Sequence, residues 1–323
     1  MHLITMTDSM GMEITYDFDH VIETADDGLA FFQSQLSSVE ARIYEVKYRK
    51  IVYQDFVPVD TSDPEWIDEV TYYSYDAVTM GKFIGANAKD LPRSDITAAK
   101  STIPVFYGGN SFGYSLDELR KSQQLRMPVD IFKATASRRG FEEHAQRVAF
   151  FGDADLGITG LFNNANVQSD TSVVDWDTAT GQEITGDMND TLFDVWFNSA
   201  ETHVPGVLLL PSARWTQISN TRMDSGTDTT ILEFFMKNNL YKDLTGGDLV
   251  IRPNLELNTA GIGNAERMMA YELNDENLTM KMPLPWRSVA PQPEGLSVTV
   301  PAEYKFGGVE FRYPGSAKYR DFL

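Results

Sequence analysis

The sequence contains no cysteine among its 323 residues. This absence excludes disulfide bonds, thiolate metal ligands and a cysteine nucleophile, and it fits synthesis in a reducing cytosol. No stretch approaches the roughly 18 apolar residues that a membrane-spanning helix requires. Residues 1–15 lack the cationic segment and apolar run of a secretory signal. We therefore expect a protein that is made and kept in water and has no membrane partner.

Basic residues are scarce relative to acidic ones. Lysine and arginine number 27 against 47 aspartates and glutamates, which gives a formal net charge of -20. Such a charge repels DNA, RNA and anionic lipid, so tight wrapping of nucleic acid is not expected. Two interpretations stay open, a surface that is merely kept soluble and an acidic lining of a shell.

Recognisable catalytic and metal-binding motifs are also missing. The four histidines lie far apart, and none belongs to an HExxH or His-x-His arrangement. His144, next to two glutamates, is interpreted as a surface or packing residue rather than a proton-transfer group. Asp153 and Asp155 lack the further oxygen ligands of a calcium loop. The sequence predicts no catalytic residue, no cofactor and no metal, and it favours a structural or binding protein.

A glycine cluster near residue 110 is the one feature that superficially suggests a phosphate-binding loop. Gly108, Gly109 and Asn110 follow a predicted strand at residues 102–107, and strand-forming residues continue through Tyr114. The spacing is not GxGxxG, so we expect a hairpin turn instead. The following residues 115–118, Ser-Leu-Asp-Glu, match a capping box and predict the start of a short helix.

The first third of the chain alternates between arm-like and strand-like segments. Residues 1–28 show no steady periodicity and predict an extended arm, and residues 29–44 predict an amphipathic helix. Residues 52–86 are rich in aromatic and β-branched residues and predict a long hairpin that something else must cover. We expect a neighbouring subunit to provide that cover. The residues expected to make this contact are Tyr72, Tyr73, Tyr75, Met80 and Phe83.

The remainder of the chain predicts a long helix and then a mixed lobe. Pro128 suits a helix start, so the pattern predicts a helix over residues 128–151 that ends at Gly152. An ordered loop at 157–167 and an exposed polar stretch at 168–185 follow. The later elements are predicted as helices at 188–202 and 230–238 and strands at 206–210, 249–257, 268–273, 278–282, 296–304 and 308–313. Strands that flank the long helix and the second lobe could share one sheet.

Three phrases in the sequence resemble a known family. They are FFGDADLGITGLFNNANV at residues 150–167, GGVEFRYP at 307–314 and DLPR at 90–93. Together with the order of elements, they resemble the major capsid proteins of tailed bacteriophages, whose Hong Kong ninety-seven-type capsid fold is shared with encapsulins. The resemblance spans nearly the whole chain.

The resemblance implies an α+β fold with an N-terminal arm, an extended hairpin loop, a long spine helix, a peripheral sheet domain and an axial α/β domain. The expected divisions are an arm and first helix at 1–51, an extended hairpin loop and return at 52–101, a peripheral domain with the spine helix at 102–186, an axial domain at 187–267, and C-terminal strands at 268–323 that return through both domains.

The implied function is assembly into an icosahedral head shell that encloses the phage genome. The implied partners are copies of the chain, portal and scaffolding proteins and possibly a decoration protein, with double-stranded DNA enclosed but not specifically bound. The expected location is the virion capsid, after assembly in the host cytoplasm. Some family members crosslink lysine to asparagine, but Lys82 and Lys89 match no such motif. An encapsulin-like compartment and a small-molecule α/β enzyme remain alternatives.

Overall fold

The computed structural model describes residues 3–7, 13–17, 48–76, 97–118 and 129–322. The chain divides into two units between Lys50 and Ile51. In the first unit, β1 (Leu3–Thr7) pairs antiparallel with β2 (Glu13–Asp17). This pairing adds a hairpin within residues 1–28, which were expected to form an extended arm, because the two segments satisfy each other's backbone groups. The predicted helix at 29–44 lies outside the described residues.

The described part of the second unit contains five α-helices, the start of a further one at residues 116–118, and four sheets. The helices are α1 (Val129–Phe151), α2 (Gly181–Asn198), α3 (Ser212–Asn220), α4 (Ile231–Lys237) and α5 (Leu240–Thr245). The strands are β3 (Val59–Asp60), β4 (Glu69–Asp76), β5 (Thr97–Pro104), β6 (Phe106–Ser115), β7 (Gln168–Thr171), β8 (Val207–Pro211), β9 (Val250–Asn254), β10 (Arg267–Tyr271), β11 (Leu278–Lys281), β12 (Leu284–Ser288), β13 (Gln292–Glu294), β14 (Ser297–Phe306), β15 (Val309–Phe311) and β16 (Ala317–Asp321).

A five-stranded mixed sheet, in the order β7-β16-β10-β8-β9, lies between two hydrophobic cores. Side chains alternate along its strands, so Met269 and Tyr271 enter the first core while Met268 and Ala270 enter the second. Helix α1 contributes to the first core, and α2, α3 and α4 contribute to the second. Burial on both faces explains why β8 reads as a continuous apolar run.

Helix α2 begins earlier than its sequence pattern suggested. Its N-cap is Thr180, whose side chain accepts from the Glu183 backbone N–H while the Glu183 carboxylate accepts from the Thr180 backbone N–H. The helix was expected at 188–202, because the capping box lies in a polar stretch that resembled an exposed loop. The expectation of exposure at 168–185 holds for most of these residues, but five of them are buried. Trp176 is buried, and its indole N–H donates to Asp187 over 2.7 Å.

Helix α1 confirms the predicted long helix to within one residue. Gly152 ends it in the left-handed conformation, with φ of 66°. One face of α1 carries Phe141, Ala145 and Val148 into the first core. The ring of Phe141 lies 4.8 Å from that of Tyr304 on β14, which fixes the helix against the sheet formed by β6, β14, β12 and β13. No helix in the described part of the chain has the length and apolar character to cross a membrane.

Strand β6 overturns the predicted turn at Gly108, Gly109 and Asn110. It continues without interruption and pairs antiparallel with β14 from Phe106↔Phe306 to Ser115↔Ser297. A Cβ atom at Gly108 would lie 2.4 Å from the Tyr304 ring, so the glycine makes room for that ring rather than turning the chain. The pairing confirms that strands before the long helix and after the second lobe share a sheet. The capping box at Ser115 and Glu118 is also confirmed, with both hydrogen bonds at 3.1 Å.

The segment after α1 folds back tightly against the end of that helix. The backbone N–H groups of Leu161 and Phe162 donate to Ala149 and Phe150 over 2.8 and 2.9 Å. Gly160 lies directly against this backbone, and a Cβ atom there would be 2.4 Å from the carbonyl carbon and oxygen of Phe150. The glycine-rich phrase at 150–167 is therefore explained by close backbone packing.

We expect Gly160→Ala to destabilise the protein by about 1–3 kcal/mol, because the new methyl group meets backbone that cannot rotate away. The matched control is Gly186→Ala inside α2, where a Cβ atom has no neighbour within 4 Å. That change should stabilise by about 0.5–1 kcal/mol through helix propensity. Urea unfolding measures both. Equal effects at the two positions would contradict the packing argument.

A buried ion pair joins two strands of the five-stranded sheet. Arg267 on β10 donates to both carboxylate oxygens of Asp321 on β16 over 2.6 and 2.9 Å, and the two side chains are only 7% and 5% exposed. The same guanidinium donates to the Phe162 carbonyl and lies 4.6 Å from the Tyr319 ring centroid. Such a fork fixes the register of two strands that are far apart in sequence.

We expect Asp321→Ala to cost about 3–5 kcal/mol of unfolding free energy, because it leaves the buried guanidinium without its counter-ion. Glu233→Ala, which removes the exposed i,i+4 pair with Lys237, should cost less than about 0.5 kcal/mol. Thermal and urea unfolding of the two variants provide the comparison. A loss at Asp321 as small as that at Glu233 would refute the proposed importance of the buried pair.

Candidate functional site

A two-stranded hairpin, formed by β4 and β5, is the least supported part of the second unit. The strands pair antiparallel from Glu69↔Pro104 to Asp76↔Thr97. Within the described ranges, no third strand joins either of them. A lone ribbon of two strands is marginally stable in water unless another surface covers one face. The hairpin is therefore a candidate contact surface.

The hairpin begins later than the sequence pattern indicated. It was expected to begin at Val52, with a turn-rich entry at 58–64, but Tyr53, Phe56 and Val57 are buried in the first core. The second strand, β5, begins at Thr97, within the part expected to return to the body. Residues 53–57 look strand-like because they are apolar and aromatic, and this composition also suits a core-filling turn of 3-10 helix.

The structure separates the aromatic residues predicted for this surface. Tyr73 is 59% exposed, while Tyr72 is half-buried at the base of the hairpin. Thr71 and Thr102 pair across the strands, with their hydroxyl oxygens 3.3 Å apart. Tyr75 lies on β4, but its side chain is outside the described atoms, and Met80 and Phe83 lie in the segment 77–96, which is also outside.

The base of the hairpin is anchored to the body by backbone and charged contacts. The Val105 backbone N–H donates to the Asp68 carbonyl over 2.9 Å, and Lys305 on β14 donates to the Asp68 carboxylate over 2.6 Å. A Cβ atom at Gly307 would lie 2.9 Å from the Pro104 carbonyl oxygen, so body and hairpin approach closely here. These contacts therefore fix the orientation of the hairpin base relative to the rest of the second unit.

Lys281 on β11 holds the segment that leads into the hairpin. Its ammonium group lies 2.5 Å from Asp60 and 2.9 Å from Asp63, and its side chain is 9% exposed. The hydrogen bond from Lys281, followed by one from Ser62, lowers the pKa of Asp60 to about 2. The carboxylate is thus stabilised in its charged form.

Glu310 on β15 is a site residue that sequence reasoning missed. Its side chain is 4% exposed, and neither carboxylate oxygen accepts a hydrogen bond of normal geometry among the residues described. It faces a cleft of about 270 Å³ between the hairpin base and the loop after α1. Burial raises the pKa of Glu310. The sequence signal for this residue is a glutamate placed between two apolar residues, Val309 and Phe311. Both of these neighbours are also buried in the structure.

The other candidate groups do not form a catalytic or metal site in the described part of the chain. His144 packs on β14, with its Nδ1 2.9 Å from the Tyr304 hydroxyl, and burial lowers its pKa. Asp153 accepts from the Asp155 backbone N–H over 3.0 Å and so shapes a turn. No three His, Asp or Glu side chains in the described ranges converge in a way that could hold a metal ion.

The family model described as "Major capsid protein" matches residues 80–323, well over half of the chain. The chain belongs to the major capsid protein family. Its role is that of a capsid shell protein, as the resemblance in the sequence predicted. Membership in this structural family implies a non-enzymatic role, and the encapsulin alternative is not favoured over it.

Solved phage capsids share the fold of this capsid protein. The capsid of Myoviridae phage XM1 has a TM-score of 0.76 at 15% identity, over 90% of this chain and 98% of that one. The capsid of a native GTA particle has a TM-score of 0.62 at 11% identity, over 89% and 95%. Microbacterium phage Oxtober96 has a TM-score of 0.60 at 11% identity, over 93% and 98%. No curated protein sequence matches the chain. The predicted α+β capsid fold is confirmed.

The pairing of Asp60 with Lys281 predicts a defined pH dependence of capsid-protein stability. Because the folded-state pKa is lowered from 3.8 to about 2, the pair stabilises the fold above pH 4 and loses this effect as the pH falls to 2. Asp60→Asn should therefore cost about 1–2 kcal/mol at pH 5, after allowance for solvent screening of a partly exposed carboxylate. The cost should vanish near pH 2.

Urea unfolding of the unassembled subunit at pH 5, 4, 3 and 2 measures this difference. The control is Asp228→Asn, whose side chain is 99% exposed and should show a difference near zero throughout. A cost for Asp60→Asn that stays constant from pH 5 to pH 2 would contradict the assignment.

Proposed function

We propose that copies of this capsid protein close into an icosahedral head shell around the phage genome, and that the hairpin of each copy lies on an adjoining copy. The observation that carries the proposal is the pairing of β4 and β5 with each other alone among the described strands, with Tyr73 59% exposed. Cover from a second copy would remove this aromatic surface from water. Permanent assemblies commonly bury more than ~2,000 Å² per interface, and such a hairpin adds to that area.

The contact surface would include the outward side of the hairpin. Tyr73 is the described residue that we assign to it, and Tyr75, Met80 and Phe83 are the further candidates from the sequence. Tyr72 is half-buried at the hairpin base, so we assign it mainly to anchoring. Tyrosine suits such a contact because it combines a large apolar ring with a polar hydroxyl group.

We assign the receiving surface to a cleft beside α1. This cleft has a volume of about 560 Å³, and its apolar wall includes Tyr53, Phe141 and Trp286. The ion pair between Arg138 and Glu142 lies along the same cleft. Aromatic walls with a charged edge resemble the centre and rim of protein interfaces.

The two hydrophobic cores support an assignment of the capsid domains. We assign α1 and the sheet of β6, β14, β12 and β13 to the peripheral domain, with α1 as its spine helix. The five-stranded sheet and helices α2 to α5 are assigned to the axial domain. In this assignment β16, the closing strand, returns to the axial sheet rather than to the peripheral one.

The proposed partners beyond the shell itself are a scaffolding protein, the portal and possibly a decoration protein, with assembly in the host cytoplasm. We propose that double-stranded DNA is enclosed without specific binding. The net charge of -20 supports this, because an acidic wall does not grip phosphate. Measurement of an inner wall that is basic would argue against this part of the proposal.

The decisive experiment is expression of the chain with and without its scaffolding protein, followed by negative-stain microscopy. Closed shells or hexameric and pentameric capsomers support the proposal, and a persistent monomer with catalytic turnover overturns it. Tyr73→Ser should raise the protein concentration required for assembly about tenfold or more, because the side chain loses the ring that the contact buries.

Tyr73→Phe is the matched control, because it keeps the ring and should assemble close to the wild-type concentration. Neither change should alter the melting temperature of the unassembled subunit by more than a degree or two, since the side chain is exposed there. Normal assembly of Tyr73→Ser would remove this residue from the proposed interface.

A further inference from the structure

Glu310 is a buried carboxylate whose hydrogen-bonding capacity is largely unmet within the described part of the chain. The residue is 7% exposed, and both of its carboxylate oxygens lack a hydrogen-bond partner among the described residues. It lies on β15, which is held between β11 and the loop after α1 by backbone hydrogen bonds. An ionised carboxylate in this position carries a large desolvation cost that a suitable partner would offset.

Among the described residues of the same subunit, no charged group donates a hydrogen bond to Glu310. The nearest cation is Arg312, whose Nε lies 3.7 Å from Glu310 Oε2 while its Nη1 donates to the Asp275 carbonyl over 3.0 Å. Lys281 on β11 is already paired with Asp60 and Asp63. From the hairpin, the Tyr72 hydroxyl faces Glu310 without a hydrogen bond of normal geometry. The described part of the subunit therefore supplies no strong hydrogen-bond donor to Glu310.

The cleft beside Glu310 has the size and chemistry to admit such a donor. It measures about 270 Å³, and its polar lining includes Ser101 and Thr102 from the hairpin and Asn166 from the loop after α1. Among the described residues that line the cleft, Glu310 is the only carboxylate. A calcium or magnesium ion needs several oxygen ligands that include more charge than one glutamate provides. A single ammonium or guanidinium group matches one carboxylate and several neutral oxygens.

We infer that the Glu310 cleft receives a lysine or arginine side chain from a second copy of the chain when the shell assembles. This inference rests on the proposed function. One wall of the Glu310 cleft is the base of the hairpin. The cleft is therefore continuous with the surface that we propose to lie on an adjoining copy. Copies that each carry a net charge of -20 repel one another, and a specific cation-to-carboxylate contact offsets that repulsion at a fixed position.

The first test compares Glu310→Gln with wild type in two measurements. The neutral glutamine keeps the shape, so the melting temperature of the unassembled subunit should be unchanged or higher, because a buried charge is removed. The protein concentration for half-maximal assembly should rise at least tenfold, because the incoming cation loses its counter-ion. The matched control, Glu276→Gln at an exposed turn, should change neither quantity.

The second test identifies the donor in wild-type shells and does not depend on a variant that folds. Shells are assembled from an equal mixture of ¹⁵N-labelled and unlabelled subunits, treated with a carbodiimide and analysed by mass spectrometry. A zero-length amide between Glu310 and a lysine of differently labelled copies supports the inference and names the lysine. Weakened assembly of Glu310→Gln without such an amide assigns the donor as an arginine.

Two results overturn the inference while the proposed function stands. One is assembly of Glu310→Gln at the wild-type concentration, and the other is an amide that links Glu310 only to a lysine of its own copy. A wild-type chain that forms neither shells nor capsomers in the presence of its scaffold overturns the proposed function and this inference together, because no second copy is then available.

Discussion

The pairing of β16 between β7 and β10 is the interaction on which the rest of the second unit depends. The side chains of β16 point alternately into two different environments. Tyr319 enters the first core and donates its hydroxyl to the Leu161 carbonyl over 2.6 Å. On the opposite face, Arg320 donates to Asp187 and Asp194 of α2 over 2.8 and 2.9 Å. One strand therefore ties the segment after α1 to helix α2, and loss of its register would disturb both cores.

The charges on β16 explain how a polar strand can occupy the middle of a sheet. Lys318 and Arg320 are 9% and 10% exposed in their side chains, yet each has carboxylates within 3.5 Å, and Asp321 is paired with Arg267. Removal of Arg267 or Asp321 leaves its partner desolvated and without a counter-ion, which is more costly than loss of a surface pair. The network thus specifies the position of the strand as well as stabilising it. The hairpin of β4 and β5 has no comparable support, and this contrast is why we assign the contact with other copies to the hairpin.

Local signals in the sequence predicted the helices and strands whose ends are set by residues adjacent in the sequence. The ends of α1 follow from Pro128 and Gly152, and the helix start after Ser115 follows from a capping box, so both could be predicted. Strand β16 could not, because Lys318, Arg320 and Asp321 are buried only through partners far away in the sequence. The turn expected at Gly108 failed for the same reason, since the ring that requires the glycine belongs to Tyr304 on another strand. For the candidate site, the sequence identified the exposed Tyr73 but gave no account of Glu310, whose burial depends on the hairpin base and the loop after α1.

The positions of buried charged groups with and without partners connect this fold to assembly. Within the described residues, the sheet between the two cores has its charges paired, while the base of the hairpin keeps a buried carboxylate without a hydrogen bond. The buried charges of that sheet are paired within the subunit, and the same kind of pairing is possible for the carboxylate of Glu310. We therefore regard the incomplete pairing at Glu310 as a property of the isolated subunit that a second copy would remove. On that view, the hairpin and Glu310 are two parts of one contact. The aromatic surface supplies most of the buried area, and the carboxylate fixes the position of the copy that covers it.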